Sequence, residues 1–85
     1  MEFFVYILLN GKGNFYVGHT NDLKRRILQH NDTERVAWAS RRGPWQVVYR
    51  EKCVSRAEAV RKEKELKSLK NKDKIRAYII ASRAK

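Results

Sequence analysis

The chain has 85 residues, with 20 Lys and Arg against 9 Asp and Glu, for a formal net charge of +11. With 42% hydrophobic residues it has the composition of one small folded domain spanning residues 1–85, and a basic excess of that size repels itself unless a polyanionic partner absorbs it. The single cysteine, Cys53, excludes a disulfide scaffold, the two histidines lack zinc-ligand spacing, and no apolar run approaches the ~20 residues that cross a bilayer.

The first expected element is a strand over residues 2–9, a continuous apolar, aromatic and β-branched run. That run is too short, and too near the start, for a signal peptide, so the expected location is cytoplasmic, without a membrane partner. Asn10-Gly11 follows as a hairpin signal, and residues 15–18 should return antiparallel. Thr20 or Asn21 is placed to cap a helix ending near Asn31, with Asp22 in its first turn and Leu23 and Ile27 on its packed face. A short helical turn is expected around residues 36–39, before Gly43-Pro44 breaks the chain. A third strand should span residues 45–51. Ser55 and Glu58 form a capping-box pattern ahead of a helix reaching about Leu69, and Asn71 is placed to cap a last helix carrying Ile75, Tyr78 and Ile79. The fold class is α+β: a small three-stranded antiparallel sheet flanked by helices, in the order β-β-α-β-α-α.

Within this frame, five side chains carry chemistry. An even-summed hairpin register sets Tyr6 and Tyr16 on one face, with Gly18 beside Tyr16 leaving a notch where a ligand can approach the backbone. Arg26 and His30 share a helix face at i, i+4. An arginine fork suits phosphate oxygens, and a histidine moves protons near neutral pH. Glu63 falls inside the apolar stripe of Ala59, Val60, Leu66 and Leu69, where a carboxylate needs a cation or a hard divalent ion. Each has a plainer reading: tyrosines packing across strands, Arg26 as one surface charge beside Lys24 and Arg25, Glu63 in a structural ion pair with Arg26. Cys53 reads as a buried, inert thiol. Together the set provides each part that phosphodiester hydrolysis requires: a water-activating group, a cation for the phosphate, and a metal or acid for the leaving oxygen. A tyrosine serves as base only if a nearby cation lowers its pKa.

The stretches "VYI" at residues 5–7 and "YVG" at residues 16–18 resemble the paired motifs of the GIY-YIG nuclease superfamily. The likeness continues through "YVGHTNDLKRRILQH" and "RKEKELKSLKNKDK" and covers nearly the whole chain. Layout and length look like the small stand-alone bacterial members, similar to the nuclease modules of group I intron homing endonucleases and of the incision subunit of excision repair. The resemblance implies a divalent-metal-dependent DNA endonuclease, using Mg²⁺ or Mn²⁺, in repair, recombination or processing. Tyr6 and Tyr16 match the two motif tyrosines, one of which would activate water, and Gly18 matches the motif glycine. Arg26 matches the catalytic arginine, His30 a position held by histidine or tyrosine, and Glu63 the single metal-binding glutamate. His19 stands where a lysine or another polar residue is common, a further catalytic candidate. Phe4 departs from the family's name, in a position that normally holds glycine without a catalytic role. Lys24, Arg25, Arg41, Arg42, Lys67 and Lys70 are the expected nucleic-acid contacts. The expected partner is DNA, branched or single-stranded, with RNA left open, and the expected state is a monomer or weak homodimer. Trp45 should pack in the core, while Trp38 and Trp45 flank the Arg41-Arg42 pair. Two other classes share the charge: a nucleic-acid-binding module that keeps the fold without turnover, and a basic structural protein of a ribonucleoprotein assembly.

Overall fold

The computed structural model describes residues 2–31 and 44–83, and their side chains other than those of residues 30, 31 and 83. Its elements are β1 (Phe3–Asn10), β2 (Phe15–Thr20), α1 (Leu23–Asn31), β3 (Trp45–Cys53), α2 (Arg56–Lys67) and α3 (Lys72–Arg83), the expected order. β1 begins and ends one residue later than expected, β3 runs on to Cys53, and α2 stops at Lys67, short of Leu69. The turn expected around residues 36–39, together with Trp38, Arg41 and Arg42, lies outside the described residues.

The strands form one antiparallel sheet in the order β2-β1-β3. The most apolar strand takes the centre because both of its faces are covered: Val5, Tyr6, Ile7 and Leu8 are all buried. The hairpin is wider than an Asn-Gly turn. Asn10 stays in β1, buried, and its Oδ1 accepts from the Lys12 and Asn14 amides at 3.0 and 2.8 Å, while Gly13 takes the left-handed conformation at φ +82°. The Asn10 side chain therefore supplies partners that a tight turn would have drawn from the backbone.

Register decides the faces. Tyr6 sits opposite Gly18 and Leu8 opposite Tyr16, so these residues share one side, and Val5, Ile7, Val17 and His19 share the other. On the first side Tyr6, Leu8 and Trp45 are packed by Tyr16, Leu23, Ile27 and Val47, with α1 as the cover. On the second, Val5, Ile7, Val17 and Cys53 meet Ala59 and Leu66 of α2 and Ile79 of α3. A bulge in β3 makes this double use possible. The pairing jumps from Ile7–Tyr49 to Leu8–Val47, which turns Trp45 and Val47 toward Tyr6 while Tyr49 and Cys53 stay on the opposite side.

Side-chain caps define the helix starts. Thr20 Oγ1 accepts from the Asp22 amide at 3.0 Å, and Asp22 Oδ1 from the Arg25 amide at 3.1 Å, so Asp22 is the cap rather than a first-turn residue. Ser55 Oγ accepts from the Glu58 amide at 3.2 Å, and Asn71 Oδ1 from the Asp73 amide at 2.8 Å, as their positions predict. These caps fix where α1 and α2 begin relative to the sheet, and through them the positions of Arg26 and Glu63.

Candidate active site

Tyr6 and Tyr16 stack on the α1 side with ring centroids 6.5 Å apart and planes 20° apart. Gly18 lies within β2, opposite Tyr6, rather than at a turn. The notch that its missing side chain leaves is filled from inside the protein. A Cβ there would stand 2.6 Å from the Tyr6 hydroxyl oxygen, 2.9 Å from Tyr6 Cζ and 3.3 Å from Tyr16 Cε1. The glycine thus makes room for the phenol of Tyr6 and not for a ligand.

Arg26, half-buried on α1, donates from Nε to the Tyr6 hydroxyl at 3.3 Å and from Nη1 to Gln29 Oε1 at 3.5 Å. Its guanidinium is held above its ordinary pKa first by the Tyr6 hydrogen bond, with desolvation opposing and Tyr16 adding a smaller effect. The two tyrosines differ in what they can reach. Tyr6 has no exposed surface, and burial raises its pKa against the lowering effect of Arg26. A fully buried phenol that keeps its proton is not a water-activating base. Tyr16 is half-buried and lines an open cleft, so solvent reaches it. Arg26 also borders a polar cavity of about 190 Å³ with Thr20, Asn21 and Arg25.

Glu63 arrives from the other side of the sheet. Its carboxylate is largely covered, with 17% side-chain exposure, as its place in the apolar stripe implies. Its partners are not Arg26. His19 Nδ1 lies 2.9 Å from Oε1 and Lys67 Nζ 3.3 Å from Oε2. A carboxylate only accepts, so the hydrogen of that bond belongs to His19 Nδ1. The charge of Glu63 is felt at Tyr6, where it adds to the upward shift of the phenol. β2 is an edge strand. The α1 group therefore lies against β2 at Gly18, and the α2 group is tied to the next residue, His19.

A divalent ion fits this donor set. Mg²⁺ takes one or two carboxylates and keeps several waters for the rest of its coordination. Glu63 offers one such carboxylate, and Lys67, 58% exposed, is able to swing off Oε2. The structure also groups Glu51, Cys53 and Glu58, whose ligand atoms lie within 4.8 Å of one another, a juxtaposition that sequence spacing did not reveal. Two of its members already have structural work. Glu51 is paired with Lys62 and accepts from the Tyr49 hydroxyl at 2.6 Å, and Cys53 is buried with its pKa raised chiefly by desolvation. Lys62 is thereby withdrawn from the basic residues available to a polyanion. Lys24, Arg25, Lys67 and Lys70 are exposed. His30 lies on α1, four residues after Arg26, with its side chain outside the described residues.

The sheet order and the element order are those of the GIY-YIG fold, and the chain matches the GIY-YIG catalytic domain over residues 2–76. It belongs to the GIY-YIG nuclease superfamily. Its relatives include small bacterial proteins named UPF0213. That of Staphylococcus saprophyticus is 30% identical over 73 residues, covering 86% of this chain and 89% of its own. That of Listeria monocytogenes is 37% identical over 79 residues, covering 93% and 87%. The solution NMR structure of a UPF0213 protein from Bacillus halodurans superposes with a TM-score of 0.58 at 34% identity, over 94% of this chain and 85% of that one.

Proposed function

We propose that this chain is a divalent-metal-dependent endonuclease that hydrolyses DNA phosphodiester bonds in repair, recombination or processing. The observation that carries the reading is the convergence of Tyr16, Arg26 and Glu63 on the Gly18–His19 step of an edge strand, in a protein of net charge +11. Arg26 supplies a permanent charge for the phosphate oxygens, and its bond to Tyr6 holds it in place. Tyr16 orients the attacking water and relays its proton to solvent, and the leaving oxygen takes up a proton from solvent. The new bond forms from the water oxygen to phosphorus, and the bond from phosphorus to the leaving oxygen breaks. Glu63 would hold Mg²⁺ or Mn²⁺, which when bound supplies positive charge for the leaving oxygen. His19 orients the Glu63 carboxylate, and Lys67 balances its charge before the ion arrives. Lys24, Arg25, Lys67 and Lys70 provide exposed charge for flanking phosphates.

The test is nicking of supercoiled plasmid and of branched DNA with Mg²⁺, Mn²⁺ or chelator. Wild type should nick only with the metal, and Arg26→Ala, Glu63→Ala and Tyr16→Phe should each lose ~10²-fold or more. Tight DNA binding with no cleavage of any substrate would overturn the reading in favour of a non-catalytic binding module.

A further inference from the structure

One flank of α2 carries a basic face that the site described above does not use. Arg56, Arg61, Lys64 and Lys67 are all exposed. Arg56, Ala57, Val60, Arg61 and Lys64 line a shallow groove of about 510 Å³, with no acidic side chain among its described lining residues. The small side chains of Ala57 and Val60 lie between the cations, so a ligand can approach the helix closely.

The place of this groove follows from the helical period of about 3.6 residues. Going round α2 from the buried Ala59 and Leu66, Glu63 comes first, then Arg56, Lys67 and Val60, then Lys64 and Ala57, and then Arg61. Glu58 and Glu65 come only beyond Arg61. The charges are sorted rather than mixed. A coat that serves solubility alone intersperses the two signs, and pairs at i, i+4 then add a few tenths of a kcal/mol each. Sorted cations repel one another until an anion joins them. Two contacts fix the ends of the flank. Lys67 Nζ lies 3.3 Å from Glu63 Oε2, which makes the flank continuous with the candidate metal site. The Arg56 guanidinium lies over the Phe3 ring, 5.2 Å from its centroid, which holds that charge against the sheet.

We propose that this flank is the track for one arm of duplex DNA, which runs from the Glu63 site toward the N-terminus of α2 with its backbone in the groove. The inference rests on the nucleic-acid substrate argued above and gives the direction in which the duplex leaves the site. From Arg56 to Lys67 the helix rises about 16 Å, a length over which one strand of a duplex presents about five phosphates. A stiff helix with cations at fixed intervals matches a stiff polyanion with phosphates at fixed intervals, a repeat that an acidic protein segment lacks. Ala57 and Val60 offer no group that hydrogen-bonds a base edge, so the track positions the duplex without reading its sequence.

The experiment reads binding alone, in chelator, by fluorescence anisotropy of a labelled blunt duplex across a salt series. Arg61→Ala/Lys64→Ala removes two cations from the flank. Arg50→Ala/Lys52→Ala removes two exposed cations from β3, at the opposite edge of the sheet. Alanine suits an exposed helix position, so the α2 variant should melt within a few degrees of wild type. It should bind duplex roughly tenfold or more weakly and flatten the salt dependence by about 1.8, at 0.9 per phosphate contact, while the β3 variant leaves that dependence unchanged. Equal losses in the two variants overturn the proposal. So does a single strand of the same length that binds as tightly as the duplex and depends equally on Arg61 and Lys64, which would give the groove to single-stranded nucleic acid. Wild type that binds no duplex overturns both this inference and the endonuclease reading. An α2 variant that binds duplex with the full affinity and salt slope overturns this inference alone.

Discussion

Gly18→Ala is the sharpest test of how this site is built. The added methyl would stand 2.6 Å from the Tyr6 hydroxyl oxygen and 2.9 Å from Cζ, against the 3.4 Å at which ordinary contact begins. Tyr6 has no exposed surface and its ring is rigid, so relief requires the strand or the ring to move within a packed layer of Leu8, Tyr16 and Trp45. Overpacking of this kind costs about 1–3 kcal/mol, offset by roughly 0.5 kcal/mol from the stiffer unfolded chain. A net loss of about 0.5–2.5 kcal/mol should lower the melting temperature by roughly 2–20 °C in a domain of this size. The shifted phenol also releases Arg26 from its 3.3 Å bond, so nicking should fall further than the loss of folded protein explains. The assay is thermal and urea unfolding of Gly18→Ala beside Gly11→Ala, where a Cβ meets nothing within 4 Å and stability should stay within about 0.5 kcal/mol. Tyr6→Phe removes the nearest atom, so the double variant should be less destabilised than the sum of the singles, with coupling of about 0.5–2 kcal/mol. Additive effects, or a Gly18→Ala protein as stable as Gly11→Ala, would refute the claim that the glycine exists to admit Tyr6.

Three further outcomes follow from the same geometry. Lys67→Ala removes a cation 3.3 Å from Glu63 Oε2, so half-maximal nicking should need about threefold less Mg²⁺ while the KM for DNA rises; an unchanged metal requirement would show that Lys67 does not compete for that oxygen. Ser55→Ala deletes the cap bond to the Glu58 amide and should lower stability by about 1 kcal/mol in urea titrations, with activity per folded molecule retained. The third concerns pH: Tyr6 and Cys53 are both shifted up by burial, from ordinary values of 10.0 and 9.0. Groups with raised folded pKa values stabilise fully below their unfolded values and lose that stability as pH climbs through the folded ones. Unfolding free energy should therefore begin to fall above about pH 9, and Tyr6→Phe should flatten the upper part of that decline.

What the chain wrote locally was readable locally. A central strand buried on both faces announces itself as an unbroken apolar run, and β1 does so from Phe3 to Leu9. Caps at Ser55 and Asn71 act over two or three residues, so spacing alone places them. The even register that puts Tyr6 and Tyr16 on one face, and the inward position of Glu63, needed only the periods of strand and helix. The resemblance to the family rested on the same short motifs.

Partner choice was another matter, because it depends on residues far apart in sequence. Nothing near Glu63 indicates that His19, 44 positions away, would hold its carboxylate in place of Arg26. Nothing near Gly18 indicates that its empty side-chain space belongs to Tyr6 rather than to a ligand. The bulge opposite Ile7 and Leu8 lets one strand supply both Trp45 to one core and Cys53 to the other, and no alternation pattern foretells a shifted register. The cleft of about 430 Å³ beside Tyr16 needed the whole fold: Phe15 and Tyr16 come from β2, and its lysines from the end of α2, the link that follows and the start of α3. Hydrophobic period and capping are short-range and survive in a string of letters. Which charge neutralises which, and which space stays open, are set only when the sheet and helices close on one another.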